Sequence, residues 1–234
     1  MVNDGGLLLL FDIDGTLVRT GGAGMRAFSR SLAEHFGWDN ALEAVSPAGK
    51  TDRSIAQEVA RVRLGRELTA AETTRVFSRY LALLRTELAT ADGFRVLPGI
   101  RAFLERESRR ARHVLGLATG NLERGARLKL EPLGLQRFFP FGGFGSDAEV
   151  RADVVRIAIA RGEASAGRRF ARERIVIVGD TPLDVAAADV VGVRSLAVAT
   201  GPHGMDALRA AGADCVVPDF TAIETIDAFL AGLA

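Results

Sequence analysis

Residues Leu7–Val18 read LLLLFDIDGTLV. Four leucines and Phe11 run without a polar break into Asp12 and Asp14, and a Gly15–Thr16 turn follows. A short continuous apolar run closed by turn residues is the pattern of a strand buried on both faces, as strands of parallel sheets are. Alternation along that strand sends Asp12 and Asp14 to the same side. Carboxylates at the end of a buried strand are costly unless compensated. A hard cation with oxygen ligands compensates them most simply. The plainer alternative, an Asp14–Gly15 bend that caps a helix, is ordinary turn chemistry but leaves Asp12 unexplained.

Beyond this strand the pattern divides in two. From Met25 to about Thr90 the apolar residues recur at helical spacing: Ala27, Phe28, Leu32 and Phe36 on one face, then Ile55, Val59 and Val62, then Val76, Tyr80, Leu83, Leu84 and Leu88. Thr69 and Glu72 form a capping-box signature for the third of these helices. The preceding Gly21-Gly22-Ala23-Gly24 cluster does not fit a dinucleotide-binding glycine pattern and reads as a hinge. After Leu97-Pro98-Gly99, apolar runs expected as strands at 113–118, 174–178, 195–199 and 215–217 alternate with helical segments. One more strand is expected after the Phe138–Phe141 run. The fold class is therefore α/β: a doubly wound parallel sheet with a small all-helical insert after the first strand. Ligands in such sheets bind at the carboxyl ends of the strands, and three strands end in polar clusters, at Asp12, Thr119 and Asp180.

Composition narrows the function. The 234 residues carry 30 Lys+Arg against 29 Asp+Glu, a net charge of +1, which gives no electrostatic footprint for nucleic acid or an anionic membrane. Lys50 and Lys129 are the only lysines. The single cysteine, Cys215, excludes an intrachain disulfide framework and reads as a buried small hydrophobe. The N-terminus lacks the basic region and cleavage site of a secretory leader, and no apolar run is long enough to span a bilayer, so a cytoplasmic location is expected. Oligomeric state is not written in the sequence.

Within the helical insert, Ala48-Gly49-Lys50-Thr51-Asp52 ends like a P-loop, but Ala44 stands where that loop needs its first glycine and Pro47 interrupts it. Two readings stay open. Thr51 or Asp52 caps a helix with Lys50 solvated, or Gly49–Asp52 faces the site and helps select a substrate. Elsewhere, Thr119 and Asn121 on their own would be helix caps, and Asp180 would be a cap with Asp184 solvated. Arg151, opening the helix after GSDAEV, would pair with Asp147 or Glu149 at the surface.

The D-x-D-G-T-[LV] pattern after one apolar strand and Gly179-Asp180-Thr181-Pro182-Leu183-Asp184 after another resemble motifs of the haloacid dehalogenase-like (HAD) hydrolase superfamily. The helical insert resembles the C1-type cap of its phosphoglycolate phosphatase-like branch, and the likeness spans almost the whole chain. It implies a HAD-like Rossmannoid core over residues 1–20 and 94–234 with a cap over 21–93. It implies Mg²⁺ held by the carboxylates of Asp12 and Asp180 and the backbone carbonyl of Asp14, with Asp184 in support, an arrangement that leaves places for water and phosphate. Gly15, Thr16, Thr119, Gly120 and Asn121 would hold the phosphoryl group at a helix N-terminus. Gly49, Lys50 and Thr51 resemble a substrate loop of the cap. The family's third-motif cation is usually a Lys, often in Lys-Pro; this chain has no Lys-Pro, and Arg151 stands at the matching place. By the same resemblance Asp12 is the nucleophile and Asp14 the general acid and base, acting on a small phosphorylated metabolite. A phosphomutase of the beta-phosphoglucomutase type is the alternative, and a catalytically silent binding protein on the same fold a lesser one. Asp14 argues against a dehalogenase, which lacks that second acid.

Overall fold

The computed structural model describes residues 6–234. Met1–Gly5, part of the stretch read as lacking a leader, lies outside the described residues. The apolar run forms β1 (Leu8–Phe11). It is followed by β2 (Val18–Arg19), then helices α1 (Ala23–Phe36), α2 (Asp52–Leu64) and α3 (Ala70–Thr90). Strand β3 (Arg95–Val96) pairs antiparallel with β2, so a two-stranded ribbon brackets the helical segment. The chain continues through α4 (Ile100–Arg110), β4 (Val114–Thr119), α5 (Glu123–Leu130), β5 (Gly142–Phe144) and α6 (Arg151–Ala166). It ends with β6 (Ile175–Gly179), α7 (Pro182–Val191), β7 (Arg194–Val198), α8 (Met205–Ala210), β8 (Cys215–Val217) and α9 (Ile223–Leu233).

Six of these strands form one parallel sheet in the order β5-β4-β1-β6-β7-β8. β1 lies between β4 and β6, where successive crossovers change direction, and the carboxyl ends of these three neighbours carry Asp12, Thr119 and Asp180. The alternation of β1 explains its composition. Leu7, Leu9 and Phe11 enter one apolar cluster with Phe103, Phe139 and Phe220. Leu8 and Leu10 enter another with Val155, Ile159 and Ala187. The Phe11 ring stands 5.6 to 6.2 Å from the rings of Phe139, Phe220 and Phe103. A strand loaded on both faces cannot slip by one residue without exchanging two complete sets of contacts, and this fixes where Asp12 emerges.

The helices between β2 and β3 bury a separate cluster that includes Phe28, Leu32, Val59, Val76, Tyr80 and Leu84. The Thr69–Glu72 capping box is present at the start of α3. Thr51, rather than Asp52, caps α2. Cys215, on the outermost strand, is half-buried and packs against the main apolar cluster. No helix among the described residues is long and apolar enough to cross a membrane.

Candidate active site

Where β1 ends, the Asp12 amide donates to the Val178 carbonyl at 2.8 Å, carrying the sheet register one residue into the site. The chain then turns at Gly15, whose φ of 79° favours glycine. A side chain at Gly15 or Gly201 would overlap the Asp180 carboxylate, so two glycines leave that group its space. Asp180, at the end of β6, accepts from the Thr16 hydroxyl at 3.0 Å. At the start of α7, Asp184 closes a capping box with Thr181, accepting from its amide at 3.1 Å and its hydroxyl at 2.7 Å. The other Asp184 oxygen accepts from Arg151. Arg151 also lies 3.2 Å from Asp12 Oδ1. Among the described residues it pairs with neither Asp147, which Arg161 takes, nor Glu149, which lies 3.5 Å from Arg61.

Carboxylate oxygens of Asp12, Asp180 and Asp184 all lie within 4.8 Å of one another, and all three residues are buried. Such crowding is unfavourable for negative charge. Burial, opposed by Arg151 and reinforced by Asp184, holds the Asp12 carboxyl above the usual carboxylate range. Burial, then Asp184 and Asp12, does the same to Asp180. Burial works against the charge of Arg151 too, but Asp184 and Asp12 outweigh it and raise the guanidinium further. Oδ1 of Asp12 is buried and accepts no hydrogen bond among the described residues. A buried oxygen that accepts no hydrogen bond and has Arg151 as its cationic neighbour, inside a cluster of three acids, fits a divalent oxygen-liganded cation. Asp12 and Asp180 would hold it; both oxygens of Asp184 already accept hydrogen bonds, which suits a supporting role.

A cavity of about 290 Å³ opens over this cluster. Asp12, Asp14, Gly15, Gly49, Lys50, Gly120, Asn121, Arg151 and Asp180 all border it. Thr16, Thr51, Thr119 and Asp184 stand one layer back. Thr16 holds Asp180, the Thr51 hydroxyl donates to the Glu149 carbonyl at 2.8 Å, and Thr119 Oγ1 accepts from Asn121 Nδ2 at 2.8 Å. Lys50 is paired with Glu58 at 2.5 Å rather than solvated. The far wall is apolar, with Met25, Phe28, Ile55 and Tyr80 from the helical segment.

Asp52, which one of the two open readings set facing the site with Gly49–Thr51, borders the cavity, and Lys129 joins it from outside any motif. Asp52 accepts from the Leu122 amide at 2.9 Å, while its own amide donates to the Gly120 carbonyl at 2.8 Å. Burial pushes its carboxyl up to about 6, against the pull of Lys129 and the Leu122 amide. Lys129, in the interior of α5, is buried and donates to Asp14 Oδ2 at 2.6 Å. Its signal was present: it shares the buried face of α5 with Gly125, Ala126 and Leu130, where a lysine needs a partner.

A parallel sheet with acids at the ends of adjacent central strands, under a helical cover, is a Rossmann-like arrangement whose ligand site lies at the carboxyl ends of the strands. The profile of the haloacid dehalogenase-like hydrolase family matches residues 9–189, and the chain belongs to that family. No curated protein matches the sequence significantly. Among solved structures, a hydrolase from Pseudomonas syringae superposes with a TM-score of 0.72 at 18% identity, over 95% of this chain and 98% of its own. A candidate beta-phosphoglucomutase from Bacteroides vulgatus gives 0.71 at 21% identity, over 97% and 91%. A predicted phosphoglycolate phosphatase from Haemophilus somnus gives 0.67 at 19%, over 97% and 99%. At these identities the likeness concerns the fold.

Proposed function

We propose that the protein is a Mg²⁺-dependent phosphatase, acting on a small phosphate monoester through an aspartyl-phosphate at Asp12, with residues 21–93 as a cap. The observation that carries this reading is the meeting of Asp12, Asp180 and Asp184, with Arg151 among them, beneath a cavity bordered by Asp14. The bound cation would offset phosphate charge and align an oxygen with Asp12.

The residues then divide the work. A carboxylate oxygen of Asp12 attacks phosphorus as the ester P–O bond breaks, and Asp14 gives its proton to the departing oxygen. Water next attacks the phosphorus of the aspartyl-phosphate, Asp14 takes a proton from it, and inorganic phosphate leaves with Asp12 restored. Arg151 offsets charge on the transferring group. Gly120, before the N-terminus of α5, offers its amide to the oxygens of that group, and Asn121, whose amide donates to Thr119 Oγ1 at 3.3 Å, holds that turn. The apolar wall of Met25, Phe28, Ile55 and Tyr80 favours a leaving group with a hydrocarbon or aryl body.

The test is hydrolysis of p-nitrophenyl phosphate and a panel of small phosphate monoesters with Mg²⁺. Turnover that EDTA stops, Mg²⁺ restores and Asp12→Asn abolishes supports the reading. Near wild-type turnover by Asp12→Asn overturns the nucleophile. An isomeric sugar phosphate in place of free phosphate makes the enzyme a mutase.

A further inference from the structure

Lys129 has no part in the steps above. Its side chain is 4% exposed, against 41% for Asp14. The ammonium donates to Asp14 Oδ2 at 2.6 Å and to Asn121 Oδ1 at 2.5 Å. Asn121 in turn donates from Nδ2 to the same Asp14 oxygen at 2.9 Å and to Thr119 Oγ1 at 2.8 Å. Lys129, Asn121 and Asp14 therefore close a ring in which one oxygen of Asp14 receives two donors. Among the described residues, nothing donates to the other oxygen, and Asp14 borders the cavity.

A carboxylate exposed to this degree would otherwise sample several rotamers, and proton transfer to a departing oxygen needs one. A buried ammonium, for its part, requires a fixed countercharge. With two donors already engaged, Lys129 is poorly placed to serve as the main cation for a substrate anion. Arg151, against Asp12 and Asp184, is better placed for that.

We propose that Lys129 is a positioning residue: with Asn121 it pins Oδ2 of Asp14, leaving Oδ1 to face the leaving-group oxygen. The proposal rests on the phosphatase reading for its purpose, but its geometry is testable apart from turnover.

The experiment pairs crystallography with leaving-group kinetics on Lys129→Met, and on Lys129→Gln, which is neutral but able to share the Asn121 amide, should the first not fold. In the variant crystal, Asp14 is expected to leave Asn121, the Nδ2–Oδ2 separation passing about 3.5 Å, beyond hydrogen-bonding range. In kcat/KM, which reports the first phosphoryl transfer, loss is expected to be about 100-fold for an alkyl phosphate. For p-nitrophenyl phosphate, whose leaving group needs little protonation, it should be under about 10-fold. Lys129→Arg should recover part of the alkyl activity. An unmoved Asp14 overturns the proposal whatever the enzyme hydrolyses. Equal loss on both esters also overturns it, pointing to a structural or substrate-binding lysine. If Asp14 moves but the wild-type protein hydrolyses no phosphate ester, the pinning stands and the phosphatase reading falls.

Discussion

Replacing Arg151 with methionine removes the cation that faces the acid cluster while keeping most of the hydrocarbon stem. The Arg151 side chain is 10% exposed, contacts Asp184 and lies 3.2 Å from Asp12. Without it, two buried carboxylates lose their shared countercharge. Breaking a buried ion pair by deleting one partner costs roughly 3–5 kcal/mol. In a chain of this size each kcal/mol moves Tm by about 2–4 °C, so thermal melts in EDTA at pH 7.5 should show a fall of roughly 6–20 °C. The pH dependence has a definite sign. Asp12 is already raised above its ordinary value of 3.8 and rises further without Arg151. A raised carboxyl loses stability as pH climbs past the unfolded value, so the deficit of the variant should widen from about pH 4 upward. Mg²⁺ should recover part of it by supplying positive charge. Hydrolysis, with one charge fewer on the transferring group, should fall about 100- to 1,000-fold in kcat. A deficit below about 1 kcal/mol at pH 7.5, or one that does not change with pH, would refute the reasoning.

Three other outcomes follow from the site. Saturating Mg²⁺, at about 100 times its dissociation constant, should stabilise the wild-type fold by about 2.7 kcal/mol in calorimetry, and Asp180→Asn should abolish that gain. Gly201→Ala, whose methyl would overlap the Asp180 carboxylate, should weaken Mg²⁺ binding in calorimetric titration; unchanged affinity would show that Asp180 can move without cost. Asp52, raised to about 6, loses native stability as pH rises from 3.8 through 6. Asp52→Asn can still accept from the Leu122 amide, so in EDTA its Tm should gain on wild type across that window; a constant offset would argue against the buried charge.

Much of this architecture was legible because it follows from simple periodicities. The LLLLF run, short and closed by turn residues, reads as a strand covered on both sides, and the alternation of strand and helix after Gly99 reads as parallel winding around it. Those two readings put the polar ends of β1, β4 and β6 at one edge of the sheet, and the strand order β4-β1-β6 makes them neighbours. Arg151 was legible from order along the chain, its contacts with Asp12 and Asp184 less so. What Lys129 and Asp52 bind was hidden for a physical reason. Each sits in a helix whose local pattern already has an ordinary explanation, an amphipathic face for one and a first-turn acid for the other. Their partners, Asp14 and the Leu122 amide, are distant in sequence, and no local period records such a pairing. Thr16 and Thr51 illustrate the converse. The family resemblance names them as substrate contacts, and their hydroxyls donate to the Asp180 carboxylate and the Glu149 carbonyl.

The seam where α2 meets the sheet has a kinetic meaning. Thr51 donates to the Glu149 carbonyl, the Asp52 amide to the Gly120 carbonyl, and the Leu122 amide to the Asp52 carboxylate. All three bonds cross from one helix start to two loops, so lifting α2 unfastens them as a set. Two protected protons, on Asp52 and Leu122, should then trade with solvent in step, and their shared rate would time each unlatching whether or not any substrate is known.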